Sequence, residues 1–441
     1  MEEAPTSQPV SPNLRRIAKM AKESPELCFR TLAHHITPEL LRLAAHRTRR
    51  DGAAGIDGQT GDEYLANLDG NVKALWERLR AGRYRAPAVR RVHIPKGDGK
   101  TRPLGIPTFE DKVVQRAAVM VLEQIYEQDF LPCSFGFRPG RSAHDALHDL
   151  RERLRRTDGG WVIDADIRDF FGSLDHAQLR EFLSQRVGDH SMMRLIGKWL
   201  NAGVLEAGRV TRSDRGTPQG GVISPLLANV YLHEVLDNWF ERDVKPRLRG
   251  QAFLTRYADD FVMGFTKHED AVRVLEVLGK RFAKHGLQLH SEKTRLVDFR
   301  CPQGDAKSGT FVFLGFTHFW AVSRKGNQVV KRRTAAKRFA RALRSVNEWC
   351  RLNRHLPLAD QHAMLARKLR GHCAYYGITG NSDALVRFRY RLVHLWRKWL
   401  CRRSHAARKP WAWFNRICEI YPLPQARAIH SSLSLHAKSS V

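Results

Sequence analysis

The sequence has no C-x-x-C pair, no long apolar run and no apolar segment near its start. Its seven cysteines, at positions 28, 133, 301, 350, 373, 401 and 418, are scattered and odd in number. Such a set fits a reducing compartment better than a disulfide framework, and it offers no zinc site. No stretch approaches the ~18 apolar residues that a membrane span requires. We therefore expect a cytosolic protein that has no membrane partner.

Acidic residues are too few to balance the basic ones. The 441 residues include 75 lysines and arginines against 45 aspartates and glutamates, a formal charge of +30. Residues 331–441 hold 24 of the basic residues and only four acids. An excess of this size points to a polyanionic partner, with nucleic acid as the first candidate and an anionic membrane surface as the second. Phosphate attraction does not distinguish RNA from DNA.

A nucleotide-binding P-loop is also missing. The run Gly99-Lys100-Thr101 would need a glycine at position 94, which is isoleucine. The surrounding segment, RRVHIPKGDGKTRPLGIPT (90–108), instead predicts a basic β-hairpin that turns at its glycines.

Helix signals flank this hairpin. The pattern is helical from Asn13 to about Leu43, and it predicts a longer helix over about 110–130. Ser142 precedes Asp145 by three residues, the spacing of a capping box that begins another helix. In RGTPQGGVISPLLANVYL (215–232), Ser224 is predicted as an N-cap followed by a proline at the first helical position.

Two segments place aspartates in apolar surroundings. In LTRYADDFVMGF (254–265), Asp259 and Asp260 lie at the bend of a predicted hairpin. In WVIDADIRDFF (161–171), strand alternation puts Asp164 and Asp166 on one face. A lone Asp-Asp pair is usually a solvated turn. Together with a second acidic strand, it fits paired Mg²⁺ ions that catalyse phosphoryl transfer, and either strand aspartate could serve.

Several motifs, in consistent order, resemble those of reverse transcriptases. RYADDF resembles the Y-x-D-D box, DADIRDFF the first catalytic strand, and GTPQGGVISPLLANVYL the helix after the P-Q-G turn. More narrowly, AGIDG, IPKGDGKTRPLGIPT, FGFRPGRSAHDAL and LRGHCAYYGITGN resemble the reverse transcriptase and maturase encoded by bacterial group II introns. The resemblance covers about residues 13–430.

The resemblance implies an α+β fold of the right-hand polymerase type, with an antiparallel sheet in the palm and an α-helical thumb or maturase domain. The implied division is a disordered N-terminus (1–12), fingers (13–150), palm (151–322), thumb or maturase domain (323–400) and a basic DNA-binding tail (401–441). The implied activity is RNA-directed DNA synthesis in the bacterial cytoplasm. The implied partners are group II intron RNA, a DNA target and primer, and dNTPs, so that the protein assists splicing and retrohoming.

The matching motifs also imply which residues form the site. The resemblance implies catalytic metal ligands at Asp166, Asp259 and Asp260, helped by the backbone carbonyl of Ile167, with two Mg²⁺ ions or, alternatively, Mn²⁺. Asp164 remains a rival for Asp166. Residues that would contact the incoming nucleotide are Lys96, Arg102, Phe170, Phe171 and Gln219, and one of the two phenylalanines would exclude a ribose 2′-hydroxyl. Residues that would contact nucleic acid are Arg138, Arg141, Tyr257, Tyr375, Tyr376, Arg397 and Lys398.

The sequence departs from the family pattern at a few positions. His372 and Cys373 stand where relatives have Trp and Asn, and Gly172 where they often have Asp. No paired-cysteine endonuclease is expected, so retrohoming would need another primer, such as one at a replication fork. Two alternatives stay open: an RNA-binding splicing maturase with little polymerase activity, or a domesticated relative used in repair or defence.

Overall fold

The structure is a computed structural model that describes residues 11–95, 101–206, 208–211, 215–217, 220–303, 308–323, 325–403 and 409–430. Two of the residues predicted to contact the nucleotide, Lys96 and Gln219, lie outside these ranges. The described residues contain no helix with the length and apolar content needed to cross a membrane.

Helices make up most of the described chain. They are α1 (Pro12–Glu23), α2 (Pro38–His46), α3 (Gly61–Ala66), α4 (Leu68–Arg80), α5 (Phe109–Asp129), α6 (Ala143–Arg156), α7 (Phe170–Ser173), α8 (His176–Ser184), α9 (His190–Leu200), α10 (Ser224–Leu232), α11 (His268–Lys284), α12 (Ala336–Leu352), α13 (Leu358–Tyr376), α14 (Ser382–Leu400) and α15 (Trp411–Ile420). Short 3₁₀ turns occur at Ala33–His35 and Lys245–Arg247, and a π-helix, His233–Val244, continues α10.

The strands form three sheets. They are β1 (Val89–Pro95), β2 (Thr101–Ile106), β3 (Trp161–Asp166), β4 (Val204–Glu206), β5 (Arg209–Thr211), β6 (Ala252–Tyr257), β7 (Asp260–Phe265), β8 (Arg295–Asp298), β9 (Phe311–Phe313), β10 (Phe316–Val322) and β11 (Gln328–Thr334). The strand orders are β2-β1-β4-β5, β6-β7-β3-β8 and β11-β10-β9. The predicted basic hairpin is confirmed, because β1 pairs antiparallel with β2.

The chain divides into two compact units. The first comprises Met1–Ala146, Ala165–Met263 and Lys267–Arg295, and the second comprises Leu147–Asp164, Gly264–Thr266 and Leu296–Val441. In the first unit, α5 and α10 are buried along most of their length and form its centre. In the second unit, apolar residues of α12 to α15 pack into one cluster that includes Trp396 and Phe388.

The helical pattern over 13–43 is divided between α1 and α2, because prolines at 25 and 38 interrupt the backbone hydrogen bonds that a continuous helix needs. One predicted helix boundary is wrong. Ser224 is the first residue of α10 and does not cap it. The preceding Ile223 N–H donates to the Gln115 side chain of α5 (3.2 Å), which replaces a local cap. The Ser142–Asp145 capping box is confirmed, with the Asp145 N–H 3.2 Å from the Ser142 hydroxyl.

Gln115 is itself held by a buried carboxyl. Its amide donates to Asp111 (2.9 Å), which also accepts from the Trp199 indole (3.0 Å) and from Tyr84. Burial raises the pKa of Asp111 to about 6, although these donors favour the charged form. The chain of contacts fixes the entry to α10, the helix that follows the P-Q-G turn.

Candidate active site

The acidic bend and the acidic strand come together in the first unit. β6 and β7 are sheet neighbours joined only by Ala258 and Asp259, so they form a hairpin. Asp260 begins β7, and Asp166 ends β3, the strand next to β7. The charge of Asp166 acts on Asp259, so the end of β3 lies near the turn that carries Asp259 and Asp260.

Asp259 has an unfavourable electrostatic environment. Its side chain is partly buried, and this burial raises its pKa above the ordinary value. The negative charge of Asp166 raises the pKa further, while the cations of Arg102 and Lys293 lower it. The charge of Asp166 therefore acts on Asp259, while the choice of Asp166 over Asp164 as a metal ligand stays a prediction. Because the pKa of Asp259 is raised and a second carboxylate lies nearby, added positive charge would stabilise this site.

Lys293 supplies part of that charge. Its ammonium group forms an ion pair with the carboxylate of Asp166. Backbone pairing beyond the end of β3 brings this lysine into place: the His290 N–H donates to the Asp166 carbonyl (2.8 Å), and the Arg168 N–H donates to the Gln288 carbonyl (2.8 Å). Sequence reasoning did not identify Lys293, because nothing in SEKTRLVDF links it to a strand more than a hundred residues earlier.

The donor set fits a hard divalent cation. Carboxylate oxygens are the ligands that Mg²⁺ and Mn²⁺ prefer. The described residues contain no group of three or more His, Cys, Asp or Glu side chains gathered as a preformed metal site. Mg²⁺ is commonly held by one or two carboxylates together with water and substrate phosphates, so a preformed all-protein cage is not required.

The backbone of the acidic turn is tightly constrained. Ala258 has φ of 58°, in the left-handed region that L-residues rarely adopt. Gly136, in the loop between α5 and α6, packs directly against it. A Cβ added at Gly136 would overlap the Ala258 nitrogen and lie 2.9 Å from the Tyr257 carbonyl carbon. Only glycine therefore allows this loop to support the turn, a requirement that the sequence motif did not reveal.

A buried arginine also stabilises the acidic turn. Arg256 is fully buried and donates to both carboxylate oxygens of Asp237 (2.8 and 2.6 Å) on the π-helix. It also donates to the Ala258 carbonyl (3.0 Å) and to the Asn229 side chain (2.9 Å). Asn229 in turn donates to the Gly136 carbonyl (2.8 Å). This network connects the supporting loop, α10 and the acidic turn.

Of the residues predicted to contact the nucleotide, Arg102 lies in position to reach the aspartates. It is exposed on β2, and its charge acts on Asp259. Phe170 and Phe171 are both buried, and their rings contact one another edge to face at 5.5 Å. Burial therefore does not show which of the two rings belongs to the core and which would contact the sugar. Gly220, in the P-Q-G turn, has φ of 116°, and an added Cβ would overlap the Gly105 carbonyl of β2.

The two loop arginines have different environments. Arg138 is buried, and its guanidinium donates to Glu127 (3.0 Å) and to the Leu131 and Ser134 carbonyls (both 2.9 Å). This structural role argues against the predicted contact with template. Arg141 is half-exposed and donates to one backbone carbonyl, so its template contact stays a prediction.

Two further residues lie beside the acidic turn. Phe137 is 54% exposed with φ of 59°, a conformation uncommon for a bulky residue outside special sites. Sequence reasoning missed it, because FGFRPGR gives no sign of which ring faces outward. Tyr257, predicted to lie near the primer, is half-buried at the end of β6.

In the second unit, the predicted tyrosines are packed side chains. The Tyr375 hydroxyl donates to the Leu314 carbonyl (2.8 Å), and its ring stacks on Phe316 at 5.8 Å. Tyr376 contacts the Phe316 ring at 5.2 Å and the His372 ring at 4.7 Å. Both remain half-exposed, so contact with nucleic acid stays a prediction for them.

Helix α14 separates its core face from a basic face. Trp396 is fully buried and donates to Gln361 (3.0 Å), so this aromatic belongs to the core. Tyr390 is 57% exposed, and the exposed cations Arg387, Arg391 and Lys398 lie on α14 with it. Arg397 lies 4.3 Å from the centroid of the Trp411 ring.

The chain belongs to the reverse transcriptase family. The family model described as reverse transcriptase (RNA-dependent DNA polymerase) matches residues 94–318. The fold is accordingly the α+β right-hand polymerase type, and enzymes of this family use divalent metal ions.

Named relatives include proteins encoded by introns. The chain is 34% identical to protein YkfC of Escherichia coli over 73% of this chain and 91% of that protein. It is 38% identical to the group II intron-encoded protein LtrA of Lactococcus lactis, over 52% of this chain and 38% of that protein. A solved telomerase from Candida albicans, bound to a telomeric RNA fragment, aligns over 80% of this chain and 68% of that chain with a TM-score of 0.42 and 13% identity.

Proposed function

We propose that this protein is an RNA-directed DNA polymerase that also binds group II intron RNA in the bacterial cytoplasm and assists splicing and retrohoming. The observation that carries the polymerase proposal is the electrostatic interaction between Asp166 and Asp259, which come from distant parts of the sequence. In this proposal residues 13–150 act as fingers, 151–322 as palm, 323–400 as thumb or maturase domain and 401–441 as a DNA-binding tail.

The proposed site residues have different roles in nucleotide addition. Asp166, Asp259 and Asp260, with the Ile167 carbonyl, would hold two Mg²⁺ ions. Bound metal would stabilise negative charge on the attacking and leaving oxygens of the phosphoryl transfer.

Other side chains would bind and position the substrates. Arg102 would bind the triphosphate of the dNTP, since a guanidinium fits phosphate oxygens in a bidentate manner. Lys293 would no longer pair with Asp166 once a metal ion replaced its ammonium group as the positive charge beside that carboxylate. Phe137 and Tyr257 would contact the primer–template duplex beside the acidic turn.

Primer extension should require a divalent metal ion, and the metal concentration that it requires should depend on pH. With a DNA primer on an RNA template, Mg²⁺ should support extension and EDTA should stop it. Because the pKa of Asp259 is raised, its carboxyl is protonated at higher pH than an ordinary aspartate and then competes with the metal. As the solution is acidified, the Mg²⁺ concentration for half-maximal extension should therefore begin to increase at a higher pH than it would for an ordinary aspartate ligand.

The contrary result would identify a different protein function. If the protein bound RNA but extended no primer at any Mg²⁺ or Mn²⁺ concentration, the polymerase proposal would fail, and a splicing maturase would be the better description. Self-splicing of a group II intron transcript, measured with and without the protein at low Mg²⁺, tests the splicing part separately.

The exposed face of α14 supports the RNA-binding part of the proposal. Arginines can contact phosphates there while the exposed ring of Tyr390 stacks on a base. Arg391→Glu should weaken binding of structured RNA and reduce the salt dependence of that binding by about one phosphate contact. Filter binding at several salt concentrations measures both quantities.

A control variant, Lys280→Glu, makes the same charge reversal at an exposed position of α11. This variant should leave the salt dependence of RNA binding nearly unchanged. Equal effects of the two variants would mean that net charge alone, and not this face of α14, governs RNA binding.

A further inference from the structure

Two concavities of the first unit lie against helix α9, apart from the aspartates. The larger has a volume of about 510 Å³ and is lined by Arg180, His190, Met193, Arg194, Gly197, Lys198 and Asn201. The other, of about 320 Å³, is lined by residues of α4, of α9, of the segment before α2 and of the segment after α4, among them Trp76, Arg80, Arg194 and Lys198. Arg194 and Lys198 line both, so the two concavities adjoin along one side of α9.

The charged side chains that line the two concavities are all basic. The lining residues of the two concavities include three arginines, a lysine and two histidines, His34 and His190, and no aspartate or glutamate. Among the described residues, neither Arg180 nor Arg194 forms an ion pair with a carboxylate. The one acid at this end of α9, Asp189, is engaged by backbone N–H groups, including those of Leu32 (2.5 Å) and Ser191 (2.7 Å). The concavities therefore favour an anionic ligand.

The side chains of the smaller concavity are also positioned. The Lys198 ammonium donates to the carbonyls of Tyr84 and Gly82, so its charge is held at the mouth of the concavity. The Arg80 guanidinium lies 5.4 Å from the centroid of the Trp76 ring. Trp76 is half-buried, and Leu79, Leu195 and Ile36 supply further apolar surface. An aromatic ring with apolar neighbours and a cationic rim suits a flat, anionic molecule.

We propose that this surface is an accessory site for an unstacked nucleotide of a single-stranded nucleic acid. Its base would lie against Trp76 and Leu79, and its phosphate would meet Arg80, Arg194 and Lys198. The larger concavity would accept the neighbouring phosphate of the strand at Arg180. The inference rests on the proposed function, since an enzyme that copies RNA handles single strands outside its catalytic centre. Bases that are splayed out of a strand commonly stack on aromatic side chains in this way.

Photo-crosslinking tests the location. A short single-stranded RNA that contains 4-thiouridine should, after irradiation and peptide mapping, crosslink to peptides from α4 or α9 as well as to peptides around the acidic turn. The same sequence as DNA, with 4-thiothymidine, tests whether the sugar matters. Free uridine monophosphate, added as a competitor, tests whether a lone nucleotide suffices.

Two variants test the contacts. Trp76→Ala should remove the α4 and α9 crosslinks and weaken binding of the RNA about fivefold or more, the range of base–aromatic stacking. Arg194→Ala should lower the slope of log affinity against log salt by about 0.7, one phosphate contact of a single strand. Arg273→Ala, at an exposed position of α11, should change neither quantity. Arg194 is exposed, so its variant remains informative if Trp76→Ala destabilises the fold.

The outcomes separate the two proposals. Crosslinks near the acidic turn with none in α4 or α9, and unchanged binding by Arg194→Ala, would overturn the accessory site alone. Full competition by the free mononucleotide would overturn the assignment to a strand. Absence of every crosslink, together with absent primer extension, would overturn the proposed function and this site with it.

Discussion

Replacing Asp259 by asparagine should abolish DNA synthesis and, in the absence of metal, raise the melting temperature of the protein. Asparagine has nearly the same shape but cannot supply the negative charge that a divalent ion requires. Metal-assisted stabilisation of phosphoryl transfer contributes several kcal/mol, so we expect a loss of about 1000-fold or more in primer extension.

The stability part follows from the sign of the pKa shift. The pKa of Asp259 is raised in the folded protein, first by burial and then by the charge of Asp166. A carboxyl with a raised folded pKa destabilises the protein at pH values above its unfolded pKa, because the charged form is less favourable when folded than when unfolded. The neutral amide removes that cost. Thermal unfolding in EDTA at neutral pH should therefore give a higher melting temperature for the variant.

Metal binding provides a readout that does not depend on activity. If the proposed site holds Mg²⁺ in the folded protein, increasing Mg²⁺ concentration should raise the melting temperature of the unchanged protein. The asparagine variant should show a smaller increase. Glu276→Gln, which removes a charge from an exposed position of α11, should match the unchanged protein in both assays. An asparagine variant that still makes cDNA would refute the assignment of Asp259 as a metal ligand.

The sequence allowed the acidic residues to be predicted because their positions depend on local pattern. Alternation along β3 put Asp164 and Asp166 on one face, and the short connection between β6 and β7 put Asp259 at a bend. The choice between the two strand aspartates came from resemblance alone. In the structure, the charge of Asp166 acts on Asp259, and the choice between the two as metal ligand stays a prediction.

The surroundings of the aspartates could not be predicted in the same way. Lys293 reaches Asp166 only because residues 288–290 pair with the end of β3. Arg256 is charged, yet it is fully buried against Asp237, whereas charge in a strand normally indicates a solvated face. Arg138 looked like a phosphate-binding arginine in a glycine-containing loop, but its partners are internal. Each case depends on contacts between segments distant in sequence.

Gly136→Ala should reduce primer extension about 100-fold, although the residue has no side chain and contacts no substrate. A methyl group there would overlap the backbone of Ala258 and Tyr257, and backbone atoms cannot rotate away as a flexible side chain can. The turn carries Asp259, so relief of the overlap must move a carboxylate that we propose to be catalytic. A displacement of about 1 Å at a catalytic group is sufficient for a loss of this size. Single-turnover extension at saturating dNTP measures it directly.

A matched substitution separates local displacement from general damage. Gly279→Ala changes the same residue type within α11, where an added Cβ meets no atom within 4 Å. Alanine favours helix over glycine, so this variant should be as active as the unchanged protein and slightly more stable. The Gly136 variant should still bind RNA, because the basic face of α14 belongs to the other unit. Full activity of Gly136→Ala would mean that the turn tolerates displacement, and the positions of the aspartates would then be less constrained than the backbone contacts indicate.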